Sequence, residues 1–316
     1  MSNRRSRRTP RPPHEARRWV AWVIVAVLAV GVGALSVFAL QQSREDPYAG
    51  ETVAPVPTFT PRSTSTPDSS PSPEAPAAVQ IDPSTVRFLA VGDDAIWRAV
   101  AGSCTGADPL LEKSTDGGAT FADITPLYRG VTQILSLDGF AGTEAEIVAT
   151  ASVEDDDTDC TPQALRTFTQ GSFWEFYPEV LAESTYLNPQ NPGQVVTPAG
   201  DVATPCASPT SLRSVSGTAA VTCDDGTASV LADDQTWSQL PISGALTVGL
   251  TSDTLAVATT DASCSGILVT RFATGDLSTP EASQCAEGTD PAQPVAVAPD
   301  DTATLVWAGD ALVTLQ

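Results

Sequence analysis

The side chains that could carry chemistry are unevenly spread along this chain. The only histidine, His14, lies among N-terminal arginines. Everything downstream is therefore without a His-containing triad or a His metal ligand. Beyond residue 80 the only lysine is Lys113, which argues against a Ser–Lys nucleophile pair. What remains there is 32 acids, six arginines (Arg87, Arg98, Arg129, Arg166, Arg213, Arg271) and three tyrosines (Tyr128, Tyr177, Tyr186). Two carboxylates across a cleft suffice for glycoside hydrolysis, but sequence alone cannot choose a pair from so many. The run Glu154–Asp159 offers oxygen ligands of the kind Ca²⁺ takes. It lacks the spacing and glycine of an EF-hand loop and reads as a solvated loop. The aromatics Trp174, Phe176 and Tyr177 read as packing within a sheet, with a sugar platform as the alternative. No catalytic residue, metal site or cofactor is assigned.

These acids set the electrostatics. Residues 80–316 carry seven cations against 32 acids, a net charge of −25. Such a surface repels phosphate backbones and anionic headgroups, so nucleic acid is excluded as a partner of this part. All six cysteines also lie here: Cys104, Cys160, Cys206, Cys223, Cys264 and Cys285. An even number with no CxxC pair fits disulfides in an oxidising compartment better than a zinc site.

The elements that must position these residues begin with a membrane segment. Residues 1–18 form a basic tail. Residues 19–40 are almost wholly apolar, opening on Trp19 and Trp22. At about 1.5 Å per residue the run matches a bilayer's hydrocarbon core. Seven arginines precede it, and only Arg44 follows closely. The expectation is a single transmembrane helix with a cytoplasmic N-terminus and the C-terminal domain outside, the bilayer being the partner of residues 19–40. A cleaved signal peptide ending near Val37–Ala39 is the rival, and the length of the run favours an uncleaved anchor. Residues 41–79 are rich in Pro, Ser and Thr and poor in large apolar groups, the composition of a disordered linker.

From residue 80 to 316 short alternating runs are broken by Gly, Asp and Pro, as in Val86–Val91, Glu146–Ala151, Thr254–Thr259 and Ile267–Phe272. Strands at spacings of roughly 8–12 residues imply an all-β fold. A weak repeat follows the scheme of three strands, a Gly-rich turn and an aromatic-led outer strand, over Val86–Leu127, Val131–Val180, a block ending in Trp237–Pro241, and about Ala245–Cys285. A short last block, Pro294–Gln316, lacks the outer strand, and Ala78–Ile81 is the candidate to supply it. A ring of blades closed this way leaves no open sheet edge. The expected architecture is thus a β-propeller. Five blades fit best, six if Tyr186–Cys206 is a degraded blade, and a pair of β-sandwiches is the fallback. No amphipathic helix is expected in this part. The cysteine positions suit the pairs Cys206–Cys223 and Cys264–Cys285 within blocks and Cys104–Cys160 between neighbours, one of fifteen possible connectivities.

The stretch Ser114-Thr115-Asp116-Gly117-Gly118-Ala119-Thr120-Phe121 resembles the Asp-box, or BNR repeat (Ser-x-Asp-x-Gly-x-x-Trp), of sialidases, sortilin-like receptors and photosystem-assembly-factor-like propellers. By that resemblance Ser114 and Asp116 bond turn backbone, Gly118 takes a conformation other residues resist, and Phe121, in place of the usual Trp, packs beneath. Eroded copies place Thr167, Thr169, Gly171 and Trp174 in the second block, and only Trp237 in the third, with Ala232 at the Asp position. In those families the box lies at blade edges, so the implied role is structural. A sialidase would further need three arginines clamping the substrate carboxylate, a Tyr nucleophile and an acid, and the family's Arg-Ile-Pro signature is absent. The expected role is a membrane-tethered, non-catalytic binding or scaffold module for an extracytoplasmic protein or cell-envelope glycan. The alternatives are a degenerate sialidase-like glycoside hydrolase and an assembly factor for a membrane complex. The Arg-rich, Lys-poor composition resembles exported actinobacterial proteins.

Overall fold

The strands of this chain are mostly four to seven residues long and rich in Ala, Val and Thr, and many are buried on both faces. In Thr254–Thr260 and Thr304–Ala308 nearly every side chain is buried. Only a strand stacked between two other sheets loses both faces to packing, and small or β-branched side chains let sheets approach closely. The computed structural model describes residues 86–151, 160–232 and 234–316. These belong to the unit Ser72–Gln316. The basic tail, residues 19–40, the linker, Ala78–Ile81 and the Glu154–Asp159 run lie outside the described residues. Among the described residues no helix is long and apolar enough to cross a membrane.

Six antiparallel sheets form, each a meander of consecutive strands. Blade 1 holds β1 (Arg87–Val91), β2 (Ile96–Val100), β3 (Leu110–Ser114) and β4 (Ala122–Asp123). Blade 2 holds β5 (Val131–Phe140), β6 (Glu144–Ala151), β7 (Pro162–Thr167) and β8 (Glu175–Phe176). Blade 3 is β9 (Tyr186–Leu187), β10 (Gln194–Thr197) and β11 (Gly200–Ala203). Blade 4 holds β12 (Pro209–Val215), β13 (Thr218–Cys223), β14 (Ala228–Leu231) and β15 (Trp237–Gln239). Blade 5 holds β16 (Ala245–Leu250), β17 (Thr254–Thr260), β18 (Ile267–Ala273) and β19 (Ala282–Ala286). Blade 6 is β20 (Val295–Pro299), β21 (Thr304–Ala308) and β22 (Ala311–Leu315). The first strand of each blade is innermost. β1 packs on β5 and β20, β9 on β5 and β12, and β16 on β12 and β20, so the sheets close into a ring.

The chain is a six-bladed propeller, which corrects the preference for five. The extra blade is the Pro- and Asn-rich stretch from Tyr186 onward. Its inner strand is two residues long, too short for a period-2 pattern to register. A six-residue helix, α1 (Pro178–Glu183), also forms between β8 and β9, opened by Pro at its first position. It buries only Val180, so it carries no amphipathic stripe. Blade 6 has three strands among the described residues, as its short sequence block implies.

Three disulfides join Cys104 to Cys160, Cys206 to Cys223 and Cys264 to Cys285, with Cα–Cα distances of 5.6, 6.2 and 5.5 Å. The first links the β2–β3 loop of blade 1 to the β6–β7 loop of blade 2. The other two close loops within blades 4 and 5.

Candidate functional site

The turn between β3 and β4 is built around one hydroxyl and one carboxylate. Ser114 Oγ accepts the N–H of Gly118 at 2.9 Å and donates to Asp116 Oδ1 at 2.7 Å. Asp116 in turn accepts the Thr120 N–H at 2.9 Å and its hydroxyl at 2.6 Å. Those bonds from Thr120, then that from Ser114, hold the exposed carboxyl at about 2. Gly118 has φ of +89°, and a Cβ there would lie 2.4 Å from Leu312 Cδ2 of blade 6. Phe121 is half-buried, its ring 3.8 Å from the Arg98 guanidinium, which also faces Trp307 of blade 6 at 4.9 Å and bonds Glu112 at 2.7 Å.

The corresponding turn of blade 2 keeps this frame without a carboxylate. Thr167 Oγ1 accepts the N–H of Gly171 at 2.9 Å, and Thr169 Oγ1 accepts that of Phe173 at 2.8 Å. Trp174 is fully buried, donates to Gly171 O, and meets Trp97 of blade 1 edge-on with centroids 6.4 Å apart. In blade 4 the frame is lost. Asp234 instead caps the N–H of Thr236, Ala232 pairs through its backbone with Thr236, and Trp237 reaches back to Ala203 O of blade 3 at 2.8 Å. Where these turns survive they wedge each blade against the one before it.

A cleft of about 340 Å³ opens on the far side of blade 2, where blade 3 is too short to fill the gap. Its lining includes Asp138, Phe140, Glu146, Arg166, Glu183 and the β12–β13 turn at Ser214–Gly217. Asp138, Glu146 and Arg166 lie directly opposite one another on β5, β6 and β7. They therefore form a polar ladder across one face of the blade. Arg166 Nε bonds Glu146 at 2.5 Å. Asp138 sits at the deep inner end of this ladder. Desolvation, then the charge of Glu146, push its carboxyl up to about 7, against the pull of Arg213. Arg213, on β12, is buried, donates to the carbonyls of Leu212 and Arg87, and lies 4.4 Å over the Phe88 ring. Burial lowers its guanidinium to about 10, still fully charged at neutral pH. At the outer lip Phe168 is 51% exposed and meets Phe140 and Tyr177 edge-on, at 5.6 and 6.1 Å.

A larger cleft, of about 810 Å³, lies between blades 1 and 6 and includes Asp93, Asp94, Asp300 and Asp301. It is made of hairpin turns whose polar groups serve each other, as Asp300 does with the N–H groups of Thr302 and Ala303. It carries neither an aromatic nor a cation. Among the described residues no group of three or more His, Cys, Asp or Glu is placed to hold a metal ion.

The arginines and tyrosines named from the sequence do not gather at one site, although Arg87 and Arg98 share the Trp307 ring. Arg87 bonds Gly309 O and faces Trp307. Arg129 bonds Trp174 O and Glu175 at the rim, and Arg271 bonds Ala303 O and Asp300 O of blade 6. Tyr128 is at the rim, Tyr186 is buried in blade 3, and only Tyr177 stands near the cleft. The three-arginine clamp that the resemblance implies is not assembled. Of the proposed platform aromatics, Trp174 is core. The exposed large apolar residues are Leu127, Tyr128, Phe168 and Phe173, of which only Tyr128 is singled out in the sequence. Asp138 gave sequence reading a misleading signal: followed by Gly139 it has the form of an Asp-Gly turn, yet it lies inside β5, the longest strand among the described residues.

No protein-family model matches the chain, and no curated protein matches it. Among solved structures it is similar to YCF48 from Cyanidioschyzon merolae, at 15% identity over 75% of this chain and 84% of that one, with a TM-score of 0.37. It is also similar to YCF48 bound to D1 peptide (14% identity, 72% and 62%, TM-score 0.29), so the chain spans less than two thirds of that protein. A GH43_1 enzyme from Xanthomonas citri is a third (9% identity, 70% and 80%, TM-score 0.36). The six-bladed ring stands on its own sheets, and these likenesses add nothing to its chemistry.

Proposed function

We propose that this propeller is a membrane-tethered, extracytoplasmic binding module that holds a protein or cell-envelope glycan in the cleft beside blade 3. The observation that carries the reading is the coincidence of the shortest blade with a polar ladder and an aromatic lip. A concave site with a few convergent polar groups among aromatics is what ligand recognition requires. The tether is supported by the apolar run at 19–40 with its one-sided arginines, and the outside location by three disulfides. We read the Ser114–Phe121 turn as an Asp-box, supported by its hydrogen bonds, and its role as structural. The test is a glycan-array and pull-down screen of the full chain in detergent, with hydrogen exchange on each hit. Protection over 138–146, 166–168 and 178–185 supports the cleft. Protection over 93–94 and 300–302 instead moves the site to the other seam.

One observation favours a second reading, a degenerate glycoside hydrolase. Asp138, its carboxyl raised to about 7, faces Glu146 across adjacent strands, and a raised carboxyl beside a second one is the pairing such enzymes use. Turnover of chromogenic glycosides that disappears in Asp138→Asn would establish it; no turnover by the wild type across a panel would remove it.

A further inference from the structure

We infer that the cleft beside blade 3 takes a basic side chain, Lys or Arg, from an extended segment of a partner protein, its cation held among Glu183, Asp138 and the rings of Phe168 and Tyr177. This rests on the cleft being the ligand site and adds the class of ligand. The first argument is an account of charge. The described residues contain seven cations, and each is bonded to an acceptor of the chain itself: Arg87 to Gly309 O, Arg98 to Glu112, Lys113 to Gln170 O, Arg129 to Glu175, Arg166 to Glu146, Arg213 to Leu212 O and Arg271 to Ala303 O. Three of them, Arg98, Arg129 and Arg166, are paired with carboxylates, and Arg166 is the cation that lines the cleft, so an anionic ligand there would have to compete with Glu146 for it. What the cleft offers is carboxylates, with Glu183 exposed at its edge.

The second argument is that the same surroundings already hold a guanidinium. Arg166 bonds Glu146, and its guanidinium lies 5.4 Å from the Phe140 ring centroid and 5.8 Å from that of Tyr177. Carboxylate plus ring face is the pairing a cation prefers at a partly desolvated site. Phe168 stands on both rings and keeps half its surface open, so a ring face remains free for a cation at the lip. The third argument is long-range. A net charge of −25 over residues 80–316 raises the local concentration of cationic partners and speeds their encounter. A neutral sugar draws nothing from that field.

The probe is a fluorescein-labelled peptide of alternating Gly and Lys, with its lysine-acetylated and Glu-substituted counterparts, titrated against the full chain in detergent by anisotropy. Saturable binding is expected for the Lys peptide alone. It should weaken at least tenfold with Glu183→Gln and, separately, with Phe168→Ala. It should be unchanged with Asp93→Asn combined with Asp94→Asn, which removes two exposed acids from the other seam. Both cleft substitutions are at exposed positions, so circular dichroism should show native folding. Equal binding of the acetylated peptide overturns the cationic class. So does binding of a neutral glycan that Phe168→Ala abolishes, which leaves the cleft itself as the ligand site. Lys-peptide binding that survives both cleft variants but falls in the Asp93/Asp94 variant overturns the cleft as the site of the cation and moves it to the other seam.

Discussion

The turns that cap β3 and β7 occupy the same place in successive blades and differ in nearly every exposed residue. In blade 1 the sequence after Ser114 is Thr-Asp-Gly-Gly-Ala-Thr-Phe. In blade 2 it is Phe-Thr-Gln-Gly-Ser-Phe-Trp after Thr167. Both keep a hydroxyl that takes the glycine N–H at 2.9 Å, and both glycines press on the blade before, at φ of +89° and +88°. What the turn needs for its shape is thus the hydroxyl and the glycine, and the carboxylate of Asp116 is replaceable by Thr169. The freed surface is used differently. Blade 1 spends it on polar contacts, whereas blade 2 exposes Phe168 and Phe173 and buries a full tryptophan between blades.

The sharpest way to break this comparison is to remove the two aromatics that end the turns. Trp174→Ala empties a fully buried site against Trp97 and should cost about 4 kcal/mol in urea unfolding. Phe121→Ala strips a half-buried ring beneath Arg98 and should cost about 1 kcal/mol. Equal losses would mean that both turns wedge alike. Next, Gly118→Ala should destabilise by about 2 kcal/mol, because its φ disfavours a side chain and the new Cβ would strike Leu312. Gly171→Ala, with Ile124 Cδ1 at 2.9 Å, should behave similarly, and a neutral result at either position removes the wedge argument there.

Two smaller effects depend on pH and have opposite signs. The folded Asp138 carboxyl is raised to about 7 from an unfolded value near 4. Its contribution is present below about pH 4 and is lost as pH rises through 7. Asp138→Asn should therefore flatten a decline in stability between pH 4 and 7, on the order of 1 kcal/mol once solvent in the cleft is allowed for. The folded Asp116 carboxyl is lowered to about 2, so its contribution is present above about pH 4 and is lost as pH falls towards 2. Asp116→Asn should soften acid unfolding slightly in that window. Thr169→Asp should introduce the same acid dependence into blade 2, if the turns are as interchangeable as their hydrogen bonds imply.

Much of the ring was legible because a blade is a local object. Consecutive strands pair, so Gly-rich turns and aromatics led to blades 1, 2, 4 and 5 directly, and the spacing of cysteines around third strands suggested their partners. Blade 3 was less visible because its strands are two to four residues long and no aromatic box closes them. The cleft was invisible for a related reason. Asp138, Glu146 and Arg166 are far apart in sequence, and only the register of β5, β6 and β7 sets them in line. The abundance of acids concealed which of them mattered. Many are turn formers bonded to a hydroxyl two residues on, as Asp225 is to Thr227, Asp261 to Ser263 and Asp276 to Ser278.

The Cys104–Cys160 bond has a mechanical consequence. Among the described residues, tension applied from the N-terminal side meets β1 first and can peel chain only as far as residue 104. There the covalent bridge passes the load directly to residue 160, and the intervening stretch, a separation of 56 residues, feels no pull. Under reducing conditions that stretch becomes extensible. Since forced unfolding is governed by the height of the barrier rather than by equilibrium stability, the redox state of one bond sets how far this domain can be drawn out before its remaining blades give way.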